Sequence, residues 1–206
     1  MSIVLHHHPF SRAATVVWML EELGEPYELQ FVDLMSGAQQ GEAHLAINRM
    51  AKVPVLVHGE AVVSETAAIG LYLADRFPDA GLAPPADKAE RAAYLRWSVY
   101  GATVVEPGCM AKSNGWEFRA GQAGWGSYDR MIETLVEGVQ PGPWLLGERF
   151  SMADVTLGAT LRWMLRFKML EAHPELVAYV ERLSARPAAL AADAKNAEVA
   201  KAHGLG

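Results

Sequence analysis

The chain has 206 residues, of which 51% are hydrophobic and 20% charged, with a formal net charge of −6. That is enough apolar material for two small cores, and there is no clustered basic face of the kind nucleic-acid binding needs. The single cysteine, Cys109, excludes a disulfide framework and a metal site built from several thiolates, and it fits a reducing compartment. The N-terminus carries neither the basic region nor the apolar run of a signal peptide, and no stretch approaches the roughly 18 apolar residues of a membrane span. The expectation is a cytoplasmic protein with no membrane and no nucleic-acid partner.

Ile3-Val4-Leu5 reads as a short strand that ends before Pro9. A helix is predicted from Ser11 or Arg12, striped by Val16, Val17, Leu20 and Leu23, with Gly24 as its C-terminal cap and Pro26 preventing continuation. Tyr27, Leu29 and Phe31 alternate with Glu28 and Gln30, a half-buried strand. Strand, helix, strand at this length makes a right-handed βαβ unit with parallel strands. Residues 33–49 read as a loop holding a short irregular helix. Val55-Leu56-Val57 and Ala61-Val62-Val63 flank His58-Gly59-Glu60 as a hairpin, and a helix striped by Ile69, Leu73 and Phe77 follows Ser64. The order β-α-β-(α)-β-β-α within 80 residues is that of a thioredoxin-like domain, a βαβ half joined to a ββα half.

Pro84-Pro85 ends the strand patterns. Asp87 to Glu90 and Ser151 to Asp154 both have capping-box spacing, each opening a helix. The first of these helices runs through Tyr94, Leu95, Trp97 and Val104. An irregular bend at 115–126, a helix from Tyr128 to Val139 and a helix between Pro174 and Pro187 complete the pattern, with an alanine-rich, weakly specified tail after Ala188. The predicted fold is therefore α+β in two domains: a thioredoxin-like domain over residues 1–80, a linker at 81–86, and an all-helical domain over 87–206.

Candidate chemistry clusters in the first domain. Pro54 lacks the N–H that a central ladder needs, so Val53-Pro54 reads either as a trans proline on an edge strand or as a cis bond. A cis bond would turn the Val53 backbone outward to pair with an extended peptide ligand. Ser64-Glu65-Thr66 opens a helix, where unpaired N–H groups and the helix dipole favour an anion. The hydroxyls could donate to a carboxylate while Glu65 holds an ammonium group; the plainer alternative is an N-cap by Ser64. Ser11 could donate to a thiolate, or simply cap the first helix. No Cys-x-x-Cys occupies that turn, so thioredoxin-type disulfide chemistry is not expected. His6 and His8 of the run His6-His7-His8 would share one face of a strand, but no nearby acid or thiol completes a ligand set, and no metal site is expected. Cys109 reads as a small packed hydrophobe. Tyr100, Met110 and Trp116 could line an apolar pocket or belong to the helical core.

The stretches SRAATVVWMLEELG (11–24), KVPVLV (52–57), SETAAI (64–69) and LGERFSMADV (146–155), in this order and spacing, resemble cytosolic glutathione S-transferases of bacterial type with a serine-class-like active site. The resemblance covers nearly the whole chain. It implies a glutathione-binding thioredoxin-like domain, a helical domain supplying an electrophile pocket, a homodimer, and a cis Val53-Pro54 bond. It also implies that Val53 pairs with the cysteinyl backbone, that Ser64, Glu65 and Thr66 hold the γ-glutamyl end, and that Lys52 meets the glycine carboxylate. Ser151 and Asp154 match the family's capping box, a folding role. Family members activate the thiol with Tyr, Ser or Cys near the end of the first strand. Here the candidate is Ser11, with Arg12 assisting by charge; a one-residue shift of register would put Phe10 or Arg12 there. Phe10, Tyr100, Met110 and Trp116 are the candidates for the electrophile pocket. The implied activity is conjugation of glutathione, the co-substrate, to a small hydrophobic electrophile in detoxification. A non-catalytic scaffold and a glutathione-dependent isomerase, dehalogenase or peroxidase are the alternatives.

Overall fold

The computed structural model describes residues 2–205. Four strands form one mixed sheet: β1 (Ile3–His7), β2 (Tyr27–Phe31), β3 (Val55–His58) and β4 (Ala61–Ser64), in the order β2-β1-β3-β4. β1 and β2 are parallel, as a βαβ crossover demands, and β3 is antiparallel to both β1 and β4. The crossover is α1 (Ala13–Leu23), whose apolar stripe is wholly buried at Val16, Val17 and Leu20. Gly24 ends it in the left-handed conformation (φ 78°), its N–H bonded to the Leu20 carbonyl. A 3-10 turn (Ala38–Gln40) and the six-residue α2 (Glu42–Ile47) fill the irregular stretch before β3. α3 (Thr66–Arg76) packs on α1, with Ile69 and Leu73 fully buried.

The helical unit contains α4 (Glu90–Tyr100), a π-helical turn (Gly101–Val105) and α5 (Glu106–Ser113) in unbroken succession. α6 (Tyr128–Gly138), α7 (Met152–Arg166) and α8 (Pro174–Ser184) follow. α4 and the π turn pack against α7. The approach is so close at Gly101 that a Cβ there would lie 2.7 Å from the Thr160 hydroxyl. α7 opens on a capping box built around Asp154, which is fully buried. Its carboxylate accepts from the backbone N–H of Ser151 (2.9 Å), the Ser151 hydroxyl (3.0 Å), the Leu145 N–H (2.8 Å) and the Tyr179 hydroxyl (2.9 Å). Burial pushes the Asp154 carboxyl upward from its ordinary pKa against these four donors.

Three expectations are corrected. The Asp87 capping box does not form: α4 begins at Glu90 after Ala89, without a side-chain cap, and Asp87 sits in a turn beside Lys88. The tail is a full helix, α9 (Pro187–Ala202). Alanine is the strongest helix former and Pro187 occupies a first-turn position, so the alanine-rich composition specifies a helix. The third correction concerns the domain boundary. The chain divides into a unit extending to Ala80 and completed by the segment from Arg186 onward, and a second unit, Gly81–Ala185. α9 packs on α1 in the first unit and is fixed there by polar contacts. Arg186 donates to both carboxylate oxygens of Glu22 (2.6 and 2.7 Å), which also accepts from the Trp18 indole (2.9 Å). Lys195 pairs with Glu21 (2.6 Å), and Asn196 meets the buried His7 (2.7 Å). Just beyond the helix, His203 stacks on Phe31 with ring centroids 3.6 Å apart.

Candidate functional site

Strand register brings the candidate segments of the first unit to one end of the sheet. Gln30, His6, Val55 and Ser64 form one row across the four strands. One step further lie Phe31 and its partner His7, then Pro54 and Glu65, with the turn that leaves β1 beyond His7. The Val53-Pro54 bond is cis. Pro54 is buried, Val53 half-buried and Lys52 exposed.

Two buried side chains on α2 and its C-terminal end hold this corner. His44 Nε2 (3.0 Å) and Asn48 Nδ2 (3.0 Å) both donate to the Lys52 carbonyl. Asn48 Oδ1 accepts the Met50 N–H (3.1 Å), and Ala51 closes the loop in the left-handed region (φ 53°). The sequence reading missed His44 and Asn48. Their signal was the four-residue spacing that puts both on one helical face, just ahead of a proline-led strand.

Ser64 is the last residue of β4, and the residue that precedes α3 is Glu65, so the N-cap by Ser64 does not form. Glu65 is exposed and has φ 68° and ψ 119°, a backbone conformation that costs a non-glycine residue on the order of 1–3 kcal/mol. Such cost persists where the fold over-determines it; here the residue joins a strand directly to a helix. The first N–H groups of α3 have no helical carbonyl behind them.

At the end of β1 the Ser11 hydroxyl donates to the His8 carbonyl (2.7 Å) and accepts the Ala13 N–H (3.1 Å). It therefore closes the turn that leads into α1, whose N-cap position is Arg12 and carries no side-chain cap. The same turn is braced by His8, whose Nδ1 accepts the Phe10 N–H (3.2 Å) and whose ring stacks on Phe31. Arg12 is half-buried and Phe10 is 61% exposed. Tyr100, Met110 and Trp116 belong to the second unit. Tyr100 packs edge-on against Trp97 (5.1 Å), while Met110 and Trp116 are exposed. Cys109 is fully buried, and burial with the nearby Glu106 pushes its thiol up to about 12.

Residues 1–75 match the family of glutathione S-transferase N-terminal domains, and residues 115–182 match the C-terminal domain family. A solved glutathione transferase from methylococcus capsulatus str. bath superposes with a TM-score of 0.79 at 31% identity, covering 95% of this chain and 98% of that one. The chain belongs to the glutathione S-transferase family. A glutathione transferase homologue from sulfitobacter, solved with bound glutathione, has a TM-score of 0.72 at 26% identity over 94% of this chain and 98% of its own. Among curated relatives, glutathione S-transferase GstA of Escherichia coli O157:H7 is 29% identical over 82% of this chain and 86% of its own length. The disulfide-bond oxidoreductase YfcG of Escherichia coli K12 is also 29% identical, over 90% of this chain and 92% of its own length. Among the described residues, no helix of this family member is long and apolar enough to cross a membrane.

Proposed function

We propose that this chain binds glutathione along the strand end just described and presents its thiolate to a small hydrophobic electrophile, as a cytoplasmic homodimer. The observation that carries the proposal is the shared sheet edge of Val53-Pro54, Glu65-Thr66 and the turn after β1. In this reading the Val53 backbone pairs with the cysteinyl residue. Glu65 holds the α-ammonium group, and Thr66, Ser64 and the open N–H groups of α3 hold the α-carboxylate. Lys52 meets the glycine carboxylate. Phe10, exposed beside the turn after β1, is the candidate of this unit for contact with the electrophile.

The thiol proton leaves to solvent, the sulfur forms a bond to the electrophilic carbon, and the leaving group departs with its electron pair. A free thiol has a pKa near 8.5; bringing it down about two units takes roughly 2.7 kcal/mol. Ser11 supplies part of this. Its hydroxyl must leave the His8 carbonyl, a bond worth about 1 kcal/mol net, to make a charged hydrogen bond worth about 1.5–3 kcal/mol. The net gain is on the order of 1 kcal/mol, and the α1 N-terminus with Arg12 supplies the remainder. Ultraviolet titration of bound glutathione in Ser11→Ala should show a thiol pKa higher by about one unit. An unchanged pKa removes the serine role. Glutathione binding without turnover of any aryl halide would replace the transferase with a scaffold.

The likeness to YfcG favours a second reading, reduction of a disulfide by two glutathione molecules. One thiolate attacks the disulfide and releases the first substrate thiolate; the second attacks the glutathione sulfur of the mixed disulfide, releases the second substrate thiolate and yields oxidised glutathione. Cys109, buried and held protonated, takes no part in that chemistry. Turnover of a small disulfide substrate in Cys109→Ala separates it from conjugation.

A further inference from the structure

The sheet face that carries Val4 and His6 borders a cavity of about 540 Å³ lined by Val4, His6, Gln30, Val32, His44 and Val57, among others. Inside it the His6 and His44 rings meet edge to face, with centroids 5.9 Å apart. The hydrogen bonding of His44 fixes its chemistry. The Lys52 carbonyl can only accept, so Nε2 of His44 carries a proton. In the neutral ring, Nδ1 is then a bare lone pair. Neither that nitrogen nor either nitrogen of His6 has a hydrogen-bond partner among the described residues, and none belongs to the sealed unpartnered nitrogens. Both histidines therefore offer lone pairs to the same cavity.

We propose that His6 and His44 form a binding site for a divalent late transition-metal ion of the zinc, nickel or copper class. Imidazole nitrogens suit these ions, and a ligating histidine ordinarily donates its other ring N–H to a backbone carbonyl, as His44 does to Lys52. Two imidazoles on one tetrahedral ion, each about 2 Å from it, have centroids about 5 Å apart, against 5.9 Å here, so the half-exposed His6 must turn to bring a ring nitrogen towards Nδ1 of His44. Gln30, the strand partner of His6, offers a carbonyl oxygen from the same cavity wall, and water completes the coordination. No group of three or more His, Cys, Asp and Glu side chains surrounds a metal position among the described residues, so this is a two-histidine site.

The test is zinc titration of the untagged chain by calorimetry, with no glutathione present, so that its failure leaves the glutathione reading untouched. Nitrogen-detected histidine spectra read the same titration. The expected result is one zinc ion per chain, with the His6 ring and Nδ1 of His44 shifting while the Nε2 proton of His44 stays in place. His6→Ala and His44→Gln should each weaken binding at least about tenfold, while His203→Ala leaves it unchanged. His6→Ala spares the Lys52 contact, so a folding defect in the His44 variant does not decide the outcome. Absence of saturable zinc binding, retention of wild-type affinity by His6→Ala, or shifts confined to other histidines overturns the proposal.

Discussion

Replacing Asp154 by alanine removes the acceptor of four donors in a fully buried place. The Ser151 hydroxyl can turn to another acceptor. The N–H groups of Leu145 and Ser151 and the Tyr179 hydroxyl cannot, and each buried orphan costs about 1–3 kcal/mol. Removing the desolvated carboxylate returns part of this, which leaves a loss of about 4 kcal/mol. For a chain of this size that lowers Tm by roughly 10 °C. Asp154→Asn keeps one oxygen for Leu145 and Tyr179 but turns an amide nitrogen towards the Ser151 N–H, so it should lose about half as much. Urea unfolding followed by tryptophan fluorescence, beside calorimetric Tm values, measures both. A loss below about 1 kcal/mol for the alanine variant, or an asparagine variant as damaging as alanine, would refute the view that these donors depend on one carboxylate.

Arg186→Ala leaves the Glu22 carboxylate, 6% exposed, with the Trp18 indole as its remaining named donor, and should cost about 3 kcal/mol. Amide exchange should quicken across α9 before the rest of the first unit; uniform quickening would contradict its docking through this pair. Cys109, pushed up to about 12, is protonated throughout the neutral range, so the folded chain should not react with an aromatic disulfide reagent at pH 8 and should react fully in denaturant. Rapid labelling of the native chain would show that the thiol is reachable. Glu65→Ala should raise the KM for glutathione by on the order of tenfold with little change in kcat, through loss of a charge-assisted bond to the ammonium group. An unchanged KM would remove Glu65 from the γ-glutamyl contact.

Elements with one strong period were legible in the sequence. The alternation of Tyr27, Leu29 and Phe31 against Glu28 and Gln30 and the Val16-Leu20-Leu23 stripe gave β2 and α1 nearly residue for residue. The capping box at Ser151 formed and the one at Asp87 did not, although their spacing is alike. The first carboxylate is sealed among four donors, whereas the second stands in solvent, where water competes for every bond. The destination of α9 was hidden because its contacts, Arg186 to Glu22 and Asn196 to His7, span more than 160 residues. The corner at Lys52 was hidden for another reason: its donors, His44 and Asn48, are near in sequence but lie in a polar stretch with no apolar rhythm. The cluster His6-His7-His8 was visible as letters, but its three rings part company in the fold. His7 goes to Asn196, His8 braces the Phe10 turn, and His6 faces His44.

The place of α9 in the first unit bears on how the chain is made. Synthesis delivers β1 to α3 first, yet α1 then emerges with the ground for α9 uncovered: Glu22 lacks Arg186, and His7 lacks Asn196. The helical unit, Gly81–Ala185, is contiguous and has all its residues before Arg186 is added. The unit that starts first is thus completed only after the whole helical unit has been made. Until then the newborn chain exposes the apolar flank of α1, the surface a chaperone would meet.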